Sequence, residues 1–388
     1  MNPFRSHKGE PTMRFSSAGR ALLAAALLAT VAACAEDKPA PSCPTQAQPG
    51  LAVAVGARAN SPQPALPKQV EDYLTSDGNV KGVTVVRVDG APSIACGLSF
   101  QAKAKNDTAK KQEKHDFGQL AVAQMRAVRS ERPEADPLGA LTLAADSAGP
   151  GGLVVLADSG LQTKAPLDFR TEALLFLSPD KIVEQLRASN LLPDTAGKRV
   201  VLSGIGYAAD PQKQPHPGLQ RRLVAIWTAI AKAGGSTDVQ VAEQANTGAA
   251  LTDKPAVSPV ALPEPDPVTA ACGSVIELPD GGAVGFQPDQ AVYREPARAR
   301  STLVTVAEFL DENPAADASA TGTIAHYGAD VKDAGLALDR ARTVTGTLRE
   351  LGVSPDQLTA HGGGWGPYEG TGDAVDQRNR RVVLQISC

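Results

Sequence analysis

Between positions 246 and 270 the chain carries Pro255, Pro259, Pro263, Pro265 and Pro267 and shows no hydrophobic period. Each proline fixes its own φ and removes a backbone donor, so neither a helix interior nor a central strand can run through such a stretch. A chain of 388 residues broken at that point folds as two units. Residues 246–271 are therefore read as an extended, semi-rigid linker between an upstream unit, 50–245, and a downstream unit, 272–388. Hydrophobic content of 42% is enough to give each unit a core, and aromatics at 4% make those cores rich in Ala, Val and Leu.

The upstream unit alternates short β-rich runs with longer helical segments. Residues 51–55, 152–156 and 199–202 are continuous apolar runs of the kind that buried parallel strands use. Residues 83–88 and 93–98 flank Asp89-Gly90-Ala91-Pro92 and read as an antiparallel hairpin. Helices are expected over 103–128, 181–191 and 219–233, the last stopped by Gly234-Gly235, and 239–241 closes the unit. This alternation predicts an α/β doubly wound sheet with the hairpin at its edge.

Little in the chain announces catalysis. Gly204-Ile205-Gly206 lacks the third glycine of a dinucleotide fingerprint, and Ser203 lacks the glycine of a nucleophile elbow. His7, His115, His216, His326 and His361 are scattered without metal-ligand spacing. A net charge of −4 and the lack of a basic stripe argue against nucleic acid as a partner. The expectation is a non-enzyme without cofactor or metal.

The N-terminus reads as an address. Arg14 and Arg20 precede the apolar run 21–33, which is too short to span a bilayer and ends in Val31-Ala32-Ala33-Cys34. This resembles the lipobox of bacterial lipoproteins. The resemblance implies cleavage before Cys34, acylation of its thiol and amine (palmitate among the chains), and anchoring on the exported side of a membrane. On that reading 1–34 is the signal segment and 35–49 a polar tether. Export favours disulfides, and removing Cys34 leaves Cys43, Cys96, Cys272 and Cys388. Three connectivities are possible; the division into units favours Cys43–Cys96 and Cys272–Cys388.

The strand and helix order of 50–245, early hairpin included, is similar to that of von Willebrand factor A-type domains. These hold a metal with an Asp-x-Ser-x-Ser loop after the first strand. Here the loop is Gly56-Ala57-Arg58-Ala59-Asn60-Ser61; no Asp heads it, and only Ser61 matches. Asp158-Ser159-Gly160 matches the family's later Asp. The resemblance implies a protein-interaction module with a degenerate metal site.

The downstream unit reads as strand pair 275–278 and 283–286, helix 298–311, strand 320–325, helix 333–351, strand 358–360 and final strand 381–386. Gly322-Thr323-Ile324-Ala325, Leu336-Ala337-Leu338-Asp339-Arg340-Ala341-Arg342-Thr343-Val344, Asn379-Arg380-Arg381-Val382 and Phe286 together resemble the OmpA-like family. The fold this implies is β-α-β-α-β, two helices on a mixed sheet. The function it implies is association with peptidoglycan: a loop Asp and a helix Arg clasp the zwitterionic end of diaminopimelate in the stem peptide. Arg340 falls on the Arg position, but Ala325 falls on the Asp position. Asp330 and Asp333 stand nearby as substitutes, with helix capping the competing role for Asp333. Two functions follow. One is a lipid-anchored envelope protein that holds the wall. The other is a protein-interaction scaffold that has lost wall binding with its loop Asp.

Overall fold

The computed structural model describes residues 43–388 except 45, 48, 76–79, 243–248, 326–332 and 366–378. Strands β1 (Leu51–Val55), β2 (Gly82–Arg87), β3 (Ser93–Ser99), β4 (Leu153–Ala157), β5 (Arg199–Ser203) and β6 (Asp238–Ala242) form a first sheet in the order β3-β2-β1-β4-β5-β6. Every pairing is parallel except that of β2 with β3. The continuous apolar sequences of β1 and β4 are buried at all positions, as strands covered on both faces must be. Successive side chains of a strand point to opposite faces. Leu51, Val53 and Val55 accordingly pack with α1 (Lys68–Thr75) and α2 (Asp107–Ala127) through Val70, Leu74, Ala121 and Met125. Ala52 and Ala54 belong to the other core, with α3 (Pro137–Ala148), α5 (Pro179–Ala188) and α6 (Pro217–Ala233). A short α4 (Glu172–Phe176) leads into α5.

The hairpin turn is held by Asp89, whose carboxylate accepts from the backbone N–H of Ala91 (2.9 Å), Glu131 (2.9 Å) and Arg132 (3.0 Å). The α2 helix starts four residues later than the 103–128 reading, because the Asn106 side chain accepts from Ala109 N at 2.7 Å and caps it there. The α5 helix starts two residues earlier than expected, at Pro179 behind the Ser178 cap, and ends at Ala188.

Strands β7 (Val275–Pro279), β8 (Asp317–Ile324), β9 (Leu358–Trp365) and β10 (Arg381–Ser387) form a second, mixed sheet in the order β7-β10-β8-β9. Only β8 and β9 are parallel. Helices α7 (Pro296–Glu312) and α8 (Asp333–Glu350) complete the unit. One expectation is corrected: 275–278 and 283–286 are not a strand pair. β7 pairs with β10, and 283–286 forms only an isolated bridge between Phe286 and Tyr293. The physical reason lies in the turn, where the Asp280 carboxylate accepts from Phe286 N at 2.9 Å and the Phe286 donor is lost to a ladder.

The disulfides are Cys43–Cys96 and Cys272–Cys388, with Cα–Cα separations of 5.0 and 5.6 Å, the pairing favoured by the division into units. The first joins the start of the described chain to β3. The second joins both ends of the downstream unit.

Residues 251–270 form neither helix nor strand, but they are not a free spacer. Ser258 donates to Glu134 at 2.6 Å, and the Gln212 amide both donates to Val260 O (3.1 Å) and accepts from Val260 N (2.7 Å). Further along, Ser301 donates to Pro263 O (2.7 Å) and Asp266 pairs with Arg298 at 2.7 Å. Val257 and Val260 are buried. The segment thus binds the first sheet's unit at one end and the second's at the other. Helices α6 and α7 also meet directly. Arg221 pairs with Glu308 at 2.6 Å, and His216 bonds Ser301 at 2.9 Å. Arg222 donates to Leu175 O, Phe176 O and Leu177 O, and to Leu351 O just past α8. One apolar core runs without a break from β1 and β4 into the second sheet.

Candidate functional site

Five segments of the second unit converge on one cleft of about 360 Å³. Its described walls are Asp280 after β7, Phe286 to Arg294 in the following loop, Ile324 and Ala325 at the end of β8, Leu336 and Arg340 on α8, and Arg380 before β10. Two glycines let these segments come close. A Cβ at Gly322 would strike the Ala337 carbonyl, so β8 can lie directly under α8. A Cβ at Gly285 would strike the Asp280 carbonyl and the Arg294 guanidinium.

Arg340 is 4% exposed. Its Nε donates to Gln290 O at 3.1 Å and its Nη2 to Gln287 O at 3.4 Å. The guanidinium carbon lies 5.1 Å from the centre of the Phe286 ring, within cation–π range. Burial pushes the Arg340 pKa down; Asp280 and Asp289 pull it back, while Arg380 and Arg294 add to the depression. Its helix neighbour Asp339 pairs with Arg342 at 3.2 Å. Asp330 lies outside the described residues, as does Cys34. Asp333 opens α8.

Asp280 is the buried carboxylate of the cleft, with its side chain 9% exposed. Besides accepting from Phe286 N, it faces two guanidiniums, Arg294 Nη1 at 3.6 Å and Arg380 Nε at 3.5 Å. Those distances are ionic contacts rather than good hydrogen bonds. The buried Arg380 Nε has no hydrogen-bond partner among the described residues. One carboxylate shared by two guanidiniums leaves donors over, and a planar fork with spare N–H groups suits an incoming carboxylate.

Asp280, Asp289 and Arg294 were missed in the sequence. Asp280 sits in a Pro-Asp-Gly-Gly stretch, which reads as turn chemistry. Arg380 lies inside the quoted Asn-Arg-Arg-Val motif, but nothing in that motif separates a pocket residue from a strand-end residue.

A second polar cluster lies where β1 and β4 end, the point at which the sheet order reverses and open α/β sheets commonly bind ligands. Here Arg58, fully buried, pairs with Asp158, and its Nη2 also reaches Asp158 Oδ1 (3.3 Å) and Ser159 Oγ (3.1 Å). Gly160 N donates to the same Asp158 carboxylate at 2.7 Å. A Cβ at Gly56 would overlap Asp158, so glycine is required there. Asp158, the later Asp expected from the A-type resemblance, has a guanidinium of the chain itself against it, while Ser61, the loop serine expected from it, donates to Pro62 O at 3.3 Å.

No family model and no curated protein matches this chain. Solved structures match its C-terminal part. The periplasmic domain of Helicobacter pylori MotB is 20% identical over 31% of this chain and 78% of its own, with a TM-score of 0.26. The peptidoglycan-associated lipoprotein of Burkholderia pseudomallei is 22% identical over 29% of this chain and 89% of its own, with a TM-score of 0.25. The OmpA-like domain of FopA1 from Francisella tularensis is 19% identical over 29% and 71%, with a TM-score of 0.25.

Proposed function

We propose that this chain is a non-catalytic envelope protein, anchored by lipid at Cys34, that holds peptidoglycan through the cleft around Arg340. The observation that carries the reading is the surplus of guanidinium donors there: Arg294 and Arg380 share Asp280, and Arg340 stands desolvated beside them. A stem peptide offers the carboxylate such a site lacks. The motifs around Gly322, Arg340 and Asn379 support the same assignment, and the signal-like segment before Cys34 would carry the chain to where peptidoglycan is. The first unit then serves as a module for an envelope protein partner.

The test uses full-length chain with Cys34→Ser, which stays unacylated, sedimented with purified sacculi. Wild-type side chains in the cleft should carry the protein into the pellet. Arg380→Gln should weaken that at least about tenfold, the worth of one charge-assisted hydrogen bond. Arg340→Ala should weaken it too, but Arg340 also holds the loop carbonyls of Gln287 and Gln290, so its melting curve must be recorded beside the binding. Equal pelleting of wild type and Arg380→Gln rules the cleft out.

A second reading, a scaffold without wall binding, draws on Ala325, where a methyl group replaces the expected carboxylate. Failure of the wild-type chain to pellet with sacculi would favour it.

A further inference from the structure

Gln290 N donates to Gln287 O at 3.2 Å, which makes a turn over 287–290 with Pro288 second and Asp289 third. Asp289 has a φ of 52°, in the left-handed region, where a turn with proline second favours glycine third. Aspartate is tolerated there, but glycine would fit with less strain. The position therefore keeps a carboxylate that the turn itself does not call for.

The surroundings fix that carboxylate at the cleft and leave it accessible. Arg340 donates to Gln290 O (3.1 Å) and Gln287 O (3.4 Å), so a buried guanidinium buttresses the turn on both sides of Asp289. The guanidiniums of Arg294 and Arg380 lie against Asp280 instead. Asp280 also accepts from Phe286 N at 2.9 Å, and its side chain is 9% exposed, so it is engaged already. Asp289 lines the same cleft and is exposed. Guanidinium donors and an accessible carboxylate thus share one cleft, the complement of a group that carries both an anion and a cation.

We infer that Asp289 receives the ammonium of the cleft's ligand while Arg294 and Arg380 receive its carboxylate. This rests on the wall-binding reading. Within it, the ligand is the free amino-acid end of a stem peptide's diaminopimelate, held as a zwitterion although Ala325 brings no carboxylate.

Two compounds and two variants test the assignment. meso-Diaminopimelate carries zwitterionic ends, and pimelate is the same dicarboxylate chain without its amines. Each is titrated calorimetrically into the full-length Cys34→Ser chain, and into that chain with Asp289→Asn or Asp289→Gly. The ratio of the two affinities within one chain cancels the pull of the guanidiniums on carboxylates common to both compounds. Either substitution should shift that ratio against diaminopimelate by about three- to fivefold, the range of an exposed ion pair. Asp289→Gly should melt no lower than its parent, because glycine suits the φ of the position, so the shift is not a loss of fold. A ratio unchanged by both substitutions overturns the inference, as does measurable binding of neither compound. Sacculus binding decides the other question separately. A chain that pellets with sacculi yet shows no shift keeps the wall-binding function and loses the role of Asp289. A chain that does not pellet at all loses the function itself.

Discussion

Replacing Arg222 with Met should uncouple the two halves of the molecule. Arg222 is 4% exposed, and its three nitrogens donate to Leu175 O (3.1 Å), Phe176 O (2.9 Å), Leu177 O (2.6 Å) and Leu351 O (3.1 Å). The first three acceptors belong to the segment before α5 and the fourth lies just past α8, so one side chain ties both units. Hydrogen bonds to a charged group are worth about 1.5–3 kcal/mol each, a gross figure of roughly 6–12 kcal/mol. Burying the guanidinium offsets part of this. Burial drives its pKa down to about 10, a cost of about 3 kcal/mol at 1.36 kcal/mol per unit. Water will rescue some of the stranded carbonyls, and a net loss of about 3–5 kcal/mol is expected. Met preserves the aliphatic stem, so lost packing contributes little. The chain has two tryptophans, Trp227 on α6 and Trp365 on β9, one in each unit. Trp227→Phe and Trp365→Phe versions therefore report each half separately in urea. In the wild-type background the two fluorescence transitions should coincide; in the Arg222→Met background they should part. Coincident transitions in the variant, with a stability loss below about 1 kcal/mol, would refute the argument that Arg222 joins the units.

Three further outcomes follow from the same structure. Arg58→Met leaves Asp158 as a buried charge without its partner and should cost about 3–5 kcal/mol in urea unfolding, whereas Arg58→Met with Asp158→Leu should recover most of it; equal losses in both would show that the pair is not coupled. The carboxyl of Glu308 is raised by burial to about 7, more than Arg221 and Arg222 pull it down. Its folded pKa lies above its unfolded one, so its contribution to stability is fully present below about pH 4.5 and is lost as pH rises through about 7. Glu308→Gln should flatten that part of the melting-temperature profile, and an unchanged slope between those values would count against it. The Cys272–Cys388 disulfide closes a separation of 116 residues, worth about 4–5 kcal/mol in the chain-entropy picture and usually less. Replacing both cysteines with serine should lower stability by about 2–4 kcal/mol with Trp365 as the probe, and a loss under about 1 kcal/mol would contradict it.

Parts of this architecture are legible in the sequence because local signals and tertiary demands agree. β1 and β4 are unbroken apolar runs, and only strands covered on both faces use such runs. Asp89 marks the hairpin turn with a side chain that bonds its own neighbours. By contrast, α3 goes unread. Its sequence PLGALTLAADSA is rich in alanine and buries Leu138, Ala140, Leu141, Ala144, Ala145 and Ala148, so it has too little polar contrast to show a helical period. The short α1 and α4 carry too few turns for a pattern. At the cleft, Arg340 is found through its helix motif. Asp280 and Arg294 are not, because their meeting depends on a turn that replaces the expected strand pair. The joining of the two units is invisible for a further reason. Prolines announce where regular structure stops, but not whether the irregular backbone finds partners elsewhere.

Such partners change what the 26 positions from 246 to 271 can do mechanically. A loose strand of that length could unreel to about 90 Å at roughly 3.3–3.6 Å per residue, and would let the Arg340 cleft search a wide volume like a hook on a line. Fastened at Glu134, Gln212, Ser301 and Arg298, the described part of it has no slack to give. Tension between Cys43 and the cleft must pass through Arg222, through the Arg221–Glu308 pair and across the shared core. The molecule then behaves as a strut of fixed reach. It yields under load by parting at that seam rather than by uncoiling.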